Sequence, residues 1–127
     1  MEIEITDSNN YEDVCYVRFI SKIGHGKGLW KDEPPDLFGK YHVELEIDDC
    51  LTWGQDIKEA EIAGYRIEAK AGVTLLCGKI ESVFEDGIIG FRLADSLLLI
   101  ETKGETLKQG KYVEISVNSL SLFSIDI

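Results

Sequence analysis

The sequence predicts an all-β fold: a single small barrel or barrel-like sandwich, mostly antiparallel, with at most one short helix near residues 56–63. Three observations carry this expectation. Short segments rich in β-branched and aromatic residues recur along the chain, most regularly over residues 71–127. Turn signals separate them, among them Glu85-Asp86-Gly87, Lys103-Gly104-Glu105 and Gln109-Gly110-Lys111. Proline is absent after Pro35, so no later segment is barred from pairing on both edges. A chain of 127 residues with 44% hydrophobic and 29% charged residues suits one domain, residues 1–127.

Taken in order, residues 14–20 (Val-Cys-Tyr-Val-Arg-Phe-Ile) read as a largely buried strand, because the run is β-branched, aromatic and too short for an ordinary helix. Gly24-His25-Gly26-Lys27-Gly28 reads as a flexible loop leading to Trp30. Residues 40–48 form the clearest strand. Tyr41, Val43, Leu45 and Ile47 point one way, and His42, Glu44, Glu46 and Asp48 the other, so one face is core and the other an acidic ladder. Residues 56–63 are ambiguous between a helix of one or two turns and a loop strand, since the composition favours helix but Ile57 and Ile62 define no apolar stripe.

Residues 65–70 alternate again. Arg66 and Lys70 form a basic edge that would pair with the acidic ladder if the two strands were neighbours. From Val73 the pattern is strand, and Gly78 inside it marks a bulge or bend. Asp86-Gly87 supplies a hairpin turn into residues 88–93. Leu97-Leu98-Leu99-Ile100 is apolar on both faces and is expected inside, and residues 112–117 and 120–127 close the sheet.

Val73-Thr-Leu-Leu-Cys-Gly-Lys-Ile-Glu-Ser-Val83, the Glu-Asp-Gly turn, Phe91-Arg-Leu-Ala-Asp95 and Gly110-Lys-Tyr-Val-Glu-Ile-Ser116 together resemble the later strands of an oligonucleotide/oligosaccharide-binding fold. The resemblance implies a barrel over residues 71–127. A nucleic-acid-binding member would need a basic groove with stacking aromatics. Arg66, Lys70, Lys79 and Arg92 alternate with Tyr65, Phe84 and Phe91, but Glu68, Glu81, Glu85 and Asp86 dilute the positive field.

Charge points away from that ligand. The chain carries 24 Asp and Glu against 13 Lys and Arg, a formal net charge of -11, whereas a polyphosphate needs a cationic surface. Residues 1–63 hold 15 acids and 6 bases and residues 64–127 hold 9 acids and 7 bases, or -9 against -2. A negative face in the first half would repel nucleic acid and anionic membranes and attract a basic protein. The candidate partner-binding residues are therefore Trp30, Asp32, Glu33, Asp36, Glu44, Glu46, Asp48 and Asp49, with His25 and Lys27 as weaker loop candidates. Three glycines alternating with His25 and Lys27 would let amides approach an anion, but the segment matches neither a P-loop nor a dinucleotide turn.

Chemistry is thinly represented. Asp32, Glu33, Asp36, Asp48, Asp49 and Asp56 have the oxygens a hard cation wants, yet lack the EF-hand spacing. His25 and His42 are the only histidines, and no nucleophile elbow or His-Glu-x-x-His motif occurs. No catalytic, metal or cofactor residue is assigned. Cys15, Cys50 and Cys77 are odd in number, with no Cys-x-x-Cys pair, and read as reduced thiols. With no apolar run near the roughly 20 residues of a membrane span and no basic, apolar leader at residues 1–6, a cytoplasmic location is expected. The favoured function is a non-catalytic acidic protein-binding module, in its sharpest form an immunity-type inhibitor of a basic toxin or nuclease. The alternatives are an OB-like barrel for nucleic acid or a small ligand, and a small enzyme with a pocket at the barrel mouth. Oligomeric state is not expressed in the sequence.

Overall fold

The computed structural model describes residues 1–125 and is all-β: a closed five-strand mixed barrel with further strands outside the ring. Strands β1 (Glu2–Tyr11), β2 (Val14–Ser21) and β3 (Gly24–Trp30) run as an antiparallel meander. Glu12 and Asp13 join the first two, both at positive φ (49° and 64°), the backbone twist that a two-residue hairpin needs. Strand β4 (Lys40–Glu46) returns to pair with the free edge of β1, giving the order β4-β1-β2-β3 of a Greek key. The last strand, β12 (Ser121–Ser124), pairs antiparallel with β4 and parallel with β3, and so closes the ring.

The barrel is therefore not where residues 71–127 promised it. Its wall comes from the first 46 residues, and only β12 is drawn from the second half. Local pattern marks strands but carries no information about which distant edge a strand will find, and closure here pairs Ser121 with both Glu46 and Leu29, residues far apart in the chain. Residues 126 and 127, the end of the expected closing strand, lie outside the described residues.

Between β4 and β12 the chain builds β5 (Leu51–Thr52), β6 (Ile57–Glu59), β7 (Arg66–Lys70), β8 (Val73–Val83), β9 (Ile88–Leu93), β10 (Ser96–Lys103) and β11 (Tyr112–Val117). The long β8 is their spine. One edge pairs first with β7 and then with β9, while the other pairs with β11. Strand β10 extends β9, β5 adds to β10 in parallel, and β6 adds to β11. Strand β7 lies parallel to the start of β3 and ties this sheet to the barrel. One continuous apolar cluster fills both parts, from Ile3, Phe19 and Val43 to Phe91, Ile100 and Ile115. No helix among the described residues is long and apolar enough to cross a membrane.

Several local expectations change. Residues 57–59 are strand, because Ile57 is fully buried opposite Ile115, and that burial together with the β11 ladder outweighs helix propensity. Strand β2 is half-buried: Cys15, Val17 and Phe19 face the core while Val14, Tyr16 and Ile20 are exposed. Leu98 and Ile100 are buried but Leu97 and Leu99 face out, Leu99 being 64% exposed, since the outer face of β10 has no layer above it. The register shift in β8 falls between Ile80 and Ser82, and Gly78 instead admits the β9 backbone: a Cβ there would lie 2.2 Å from the Arg92 carbonyl oxygen. Arg66 meets Glu114 on β11 at 3.8 Å and not the acidic ladder, because β7 borders β3 and β8. The Glu85–Gly87 segment is a hairpin turn as expected, with Asp86 and Gly87 at φ 64° and 81°.

Candidate functional site

The acidic ladder of β4 is formed as the alternation requires. Val43, Leu45 and Ile47 are buried, and Glu44, Glu46, Asp48 and Asp49 are exposed on the outer wall of the barrel. Asp32 joins them through space. Its carboxylate accepts a hydrogen bond from the Ser124 backbone N–H at the end of β12, the strand that pairs with β4. Lys31 donates its amide to the Leu122 carbonyl at 2.9 Å, so the exit of β3 runs along the same wall. Glu33 and Asp36 are exposed in the connection from β3 to β4. Among the described residues, none of these seven acids sits in an ion pair.

Crowding of like charge is felt at Glu46. A hydrogen bond with Asp48 and the charge of Asp48, then Glu44, hold its carboxyl above the ordinary carboxylate range, with Lys31 only partly offsetting them. The wall thus concentrates negative charge that Lys31 only partly offsets.

Trp30 does not belong to the exposed set. It is 4% exposed, packed edge-on against Tyr41 with ring centroids 4.9 Å apart, and its indole N–H donates to the Glu33 carbonyl at 2.6 Å. Its role is to anchor the 31–39 connection from beneath, aided by the Asp36 N–H donating to the Tyr41 hydroxyl at 2.7 Å. The large apolar groups that this connection does expose are Leu37 and Phe38, which the sequence reading passed over.

The glycine-rich segment is a strand, not a loop. Its alternation is the period of two: Gly24, Gly26 and Gly28 share one face of β3 and His25 and Lys27 the other. Each glycine marks a close approach. A Cβ would meet the Ile67 carbonyl oxygen at Gly24, the Phe19 ring at 2.8 Å at Gly26, and the Leu120 carbonyl oxygen at 2.4 Å at Gly28. Strand β3 accepts β7 and then β12 on one edge, and only glycine leaves room for both.

That arrangement places Lys27 in the lining of a cleft of about 590 Å³. Its floor is the outer face of β1, β2 and β3, with Asp7, Asn9, Tyr16, Arg18, Lys27 and Leu29, and one wall is the Asn118–Ser119 connection. His25 lies beyond it, exposed and in register with Glu68 of β7. Tyr16 and Arg18 are the wet face of an alternating strand, whereas its composition reads as a largely buried one.

No metal-binding cluster is assembled among the described residues. His42 is exposed beside Glu2, its Nε2 3.6 Å from the carboxylate. No three carboxylate, thiol or imidazole groups converge, and no buried side-chain polar atom lacks a hydrogen-bond partner. No protein-family model, curated protein or solved structure matches the chain.

Proposed function

We propose that the protein is a non-catalytic binding module that docks a basic protein on the acidic outer wall of its barrel. The observation that carries this reading is the run of unpaired, exposed carboxylates Asp32, Glu44, Glu46, Asp48 and Asp49, held beside one another by β4, β12 and the exit of β3. Such a field accelerates encounter with a cationic partner, and it occupies a surface built for phosphate. An immunity-type inhibitor of a basic nuclease or toxin is the sharpest form of the reading, and the cytoplasm is its natural compartment. The Greek-key order of β4-β1-β2-β3, closed by a fifth strand, supports the finer description of the ring as OB-like.

The test is association kinetics with the protein captured from the native host. A basic partner is expected, whose on-rate falls steeply with salt. Replacing Glu44, Glu46, Asp48 and Asp49 together by their amides slows association and flattens that salt dependence. An unchanged on-rate removes the wall from the mechanism, and a nucleic-acid partner overturns the reading.

A further inference from the structure

The outer face of β8, β9 and β10 carries an apolar patch whose register forms a small grid. In the first row Lys79 lies across from Arg92, and Arg92 across from Leu97. In the second, Ser82 lies across from Gly90, and Gly90 across from Leu99. In the third, the Phe84 N–H donates to the Ile88 carbonyl at 2.8 Å, and Ile88 lies across from Glu101. The alternating residues Ile89, Phe91, Leu98 and Ile100 fill the core, so the grid faces outward. Phe84, Ile88, Leu97 and Leu99 are exposed, Phe84 by 51% and Leu99 by 64%, and they surround Gly90, which contributes no side chain. Four large apolar groups about one point exceed the scattered exposure ordinary on a surface. Charge on this face balances. Arg92 is held by Glu81 at 2.8 Å. Lys79, 6.0 Å from the Tyr112 ring centroid, and Glu101 stand at opposite corners, and among the described residues neither is in an ion pair.

We propose that this face docks a second copy of the chain, in a two-fold dimer whose sheets cross at about a right angle, one of the two ways in which sheets pack face to face. The grid offers two diagonals for the two-fold axis, and charge selects between them. An axis along Leu97, Gly90 and Phe84 sets each of these residues over its own copy and brings Lys79 over the partner's Glu101, twice by symmetry. The other diagonal sets Lys79 on Lys79 and Glu101 on Glu101, and like charges repel. In the favoured arrangement Leu99 covers the aliphatic stem of the partner's Arg92. Of the formal charge of -11, -9 lies in residues 1–63, before β8 begins, so the bulk of the repelling charge is outside the contact. Strands about 4.8 Å apart and rows about 7 Å apart make a contact well below the size of a permanent interface, so association is reversible and micromolar.

The face shares no residue with the acidic wall, so the dimer does not rest on the docking of a basic protein there. The test is sedimentation equilibrium of the intact protein at fixed salt, from roughly 10 µM to 1 mM. The weight-average mass is expected to climb from one chain toward two. L97S/L99S holds it at one chain, and a dispersed amide spectrum establishes that this variant is folded. Lys79→Glu and Glu101→Lys each weaken association several-fold alone, because each then meets a like charge on its own copy. A mixture of the two restores it, since both corner contacts of the mixed dimer join opposite charges. That rescue decides the matter even where L97S/L99S fails to fold. The amide variant of the acidic wall still dimerises. The mass of a single chain throughout the range, or a dimer that folded L97S/L99S leaves intact, overturns the proposal. A mixture no tighter than its components overturns it too, and loss of the dimer in the acidic-wall variant does so by placing the contact on the barrel.

Discussion

A Cβ on Gly28 would stand 2.4 Å from the backbone carbonyl oxygen of Leu120, which already accepts the Leu29 N–H at 2.8 Å. Barrel closure therefore depends on a missing side chain. Gly28→Ala forces β12 away from β3 and is expected to cost about 1–3 kcal/mol in urea unfolding, the range of an overpacked contact with little room to relax. Exchange of the Leu29 and Lys31 amides, both bonded to the β12 segment, should accelerate in the same variant. Gly72→Ala is the control. Its Cβ meets nothing within 4 Å, so it carries only the cost of positive φ and leaves those two amides protected. Equal exchange in the two variants would sink the closure argument.

Ala71 occupies positive φ (49°) beside Gly72 (83°) in the two-residue turn between Lys70 and Val73. An alanine in that region is strained, whereas asparagine tolerates it and suits the turn. Ala71→Asn should stabilise the fold by about 0.5–1 kcal/mol, seen as a higher urea midpoint with an unchanged m-value. A midpoint that stays put or falls contradicts the turn assignment.

Glu46 and Asp48 give a pH signature. The carboxyl of Glu46 is held above the ordinary range by its hydrogen bond to Asp48 and by the charge of Asp48. A carboxyl raised in the folded state binds its proton more tightly there than in the unfolded chain. Stability from this pair is therefore greatest at low pH and falls as pH rises from the ordinary carboxylate range through the raised value. Glu46→Gln should remove that decline and leave the variant the more stable near neutrality. Identical pH slopes for the two proteins, or a carbon-13 titration of Glu46 in the ordinary range, would refute the coupling.

The three thiols should separate by burial. Cys50 is exposed, whereas Cys15 and Cys77 are buried, and burial pushes the Cys77 thiol up, with Arg66 nearby acting in the opposite direction. In native buffer an aromatic disulfide reagent is expected to modify one thiol quickly and the other two only on unfolding. Fast modification of Cys15 would show that the barrel wall opens, and fast modification of Cys77 that the sheet around β8 does.

Some of the candidate surface was readable before any coordinates. The alternation in residues 40–48 placed Glu44, Glu46 and Asp48 on a wet face, and there they are. Asp32 was named only for its charge. Its place beside that face depends on β12, a strand almost eighty residues beyond β4, and on a hydrogen bond from the Ser124 backbone. Trp30 reads as a contact candidate because it follows three glycines that look like a flexible loop, but those glycines line a strand whose end is plugged by the indole. Arg18 and Tyr16 were missed because a run of β-branched and aromatic residues looks buried on both faces unless its partners are known.

The sequence by itself determined an all-β chain, the alternation of β4, the Asp86-Gly87 hairpin and a negative surface. These are properties of neighbouring residues: side-chain period, turn chemistry and summed charge. Tertiary structure alone decided that the ring is built from the first 46 residues and β12, that β3 is a strand, and that Arg18 and Lys27 stand side by side in a cleft. Each of those depends on which remote backbone approaches which edge. Hydrogen-bonding edges are alike from strand to strand, so the choice among them rests on packing over the whole core, and at Gly24 and Gly28 on the room left by side chains that are not there.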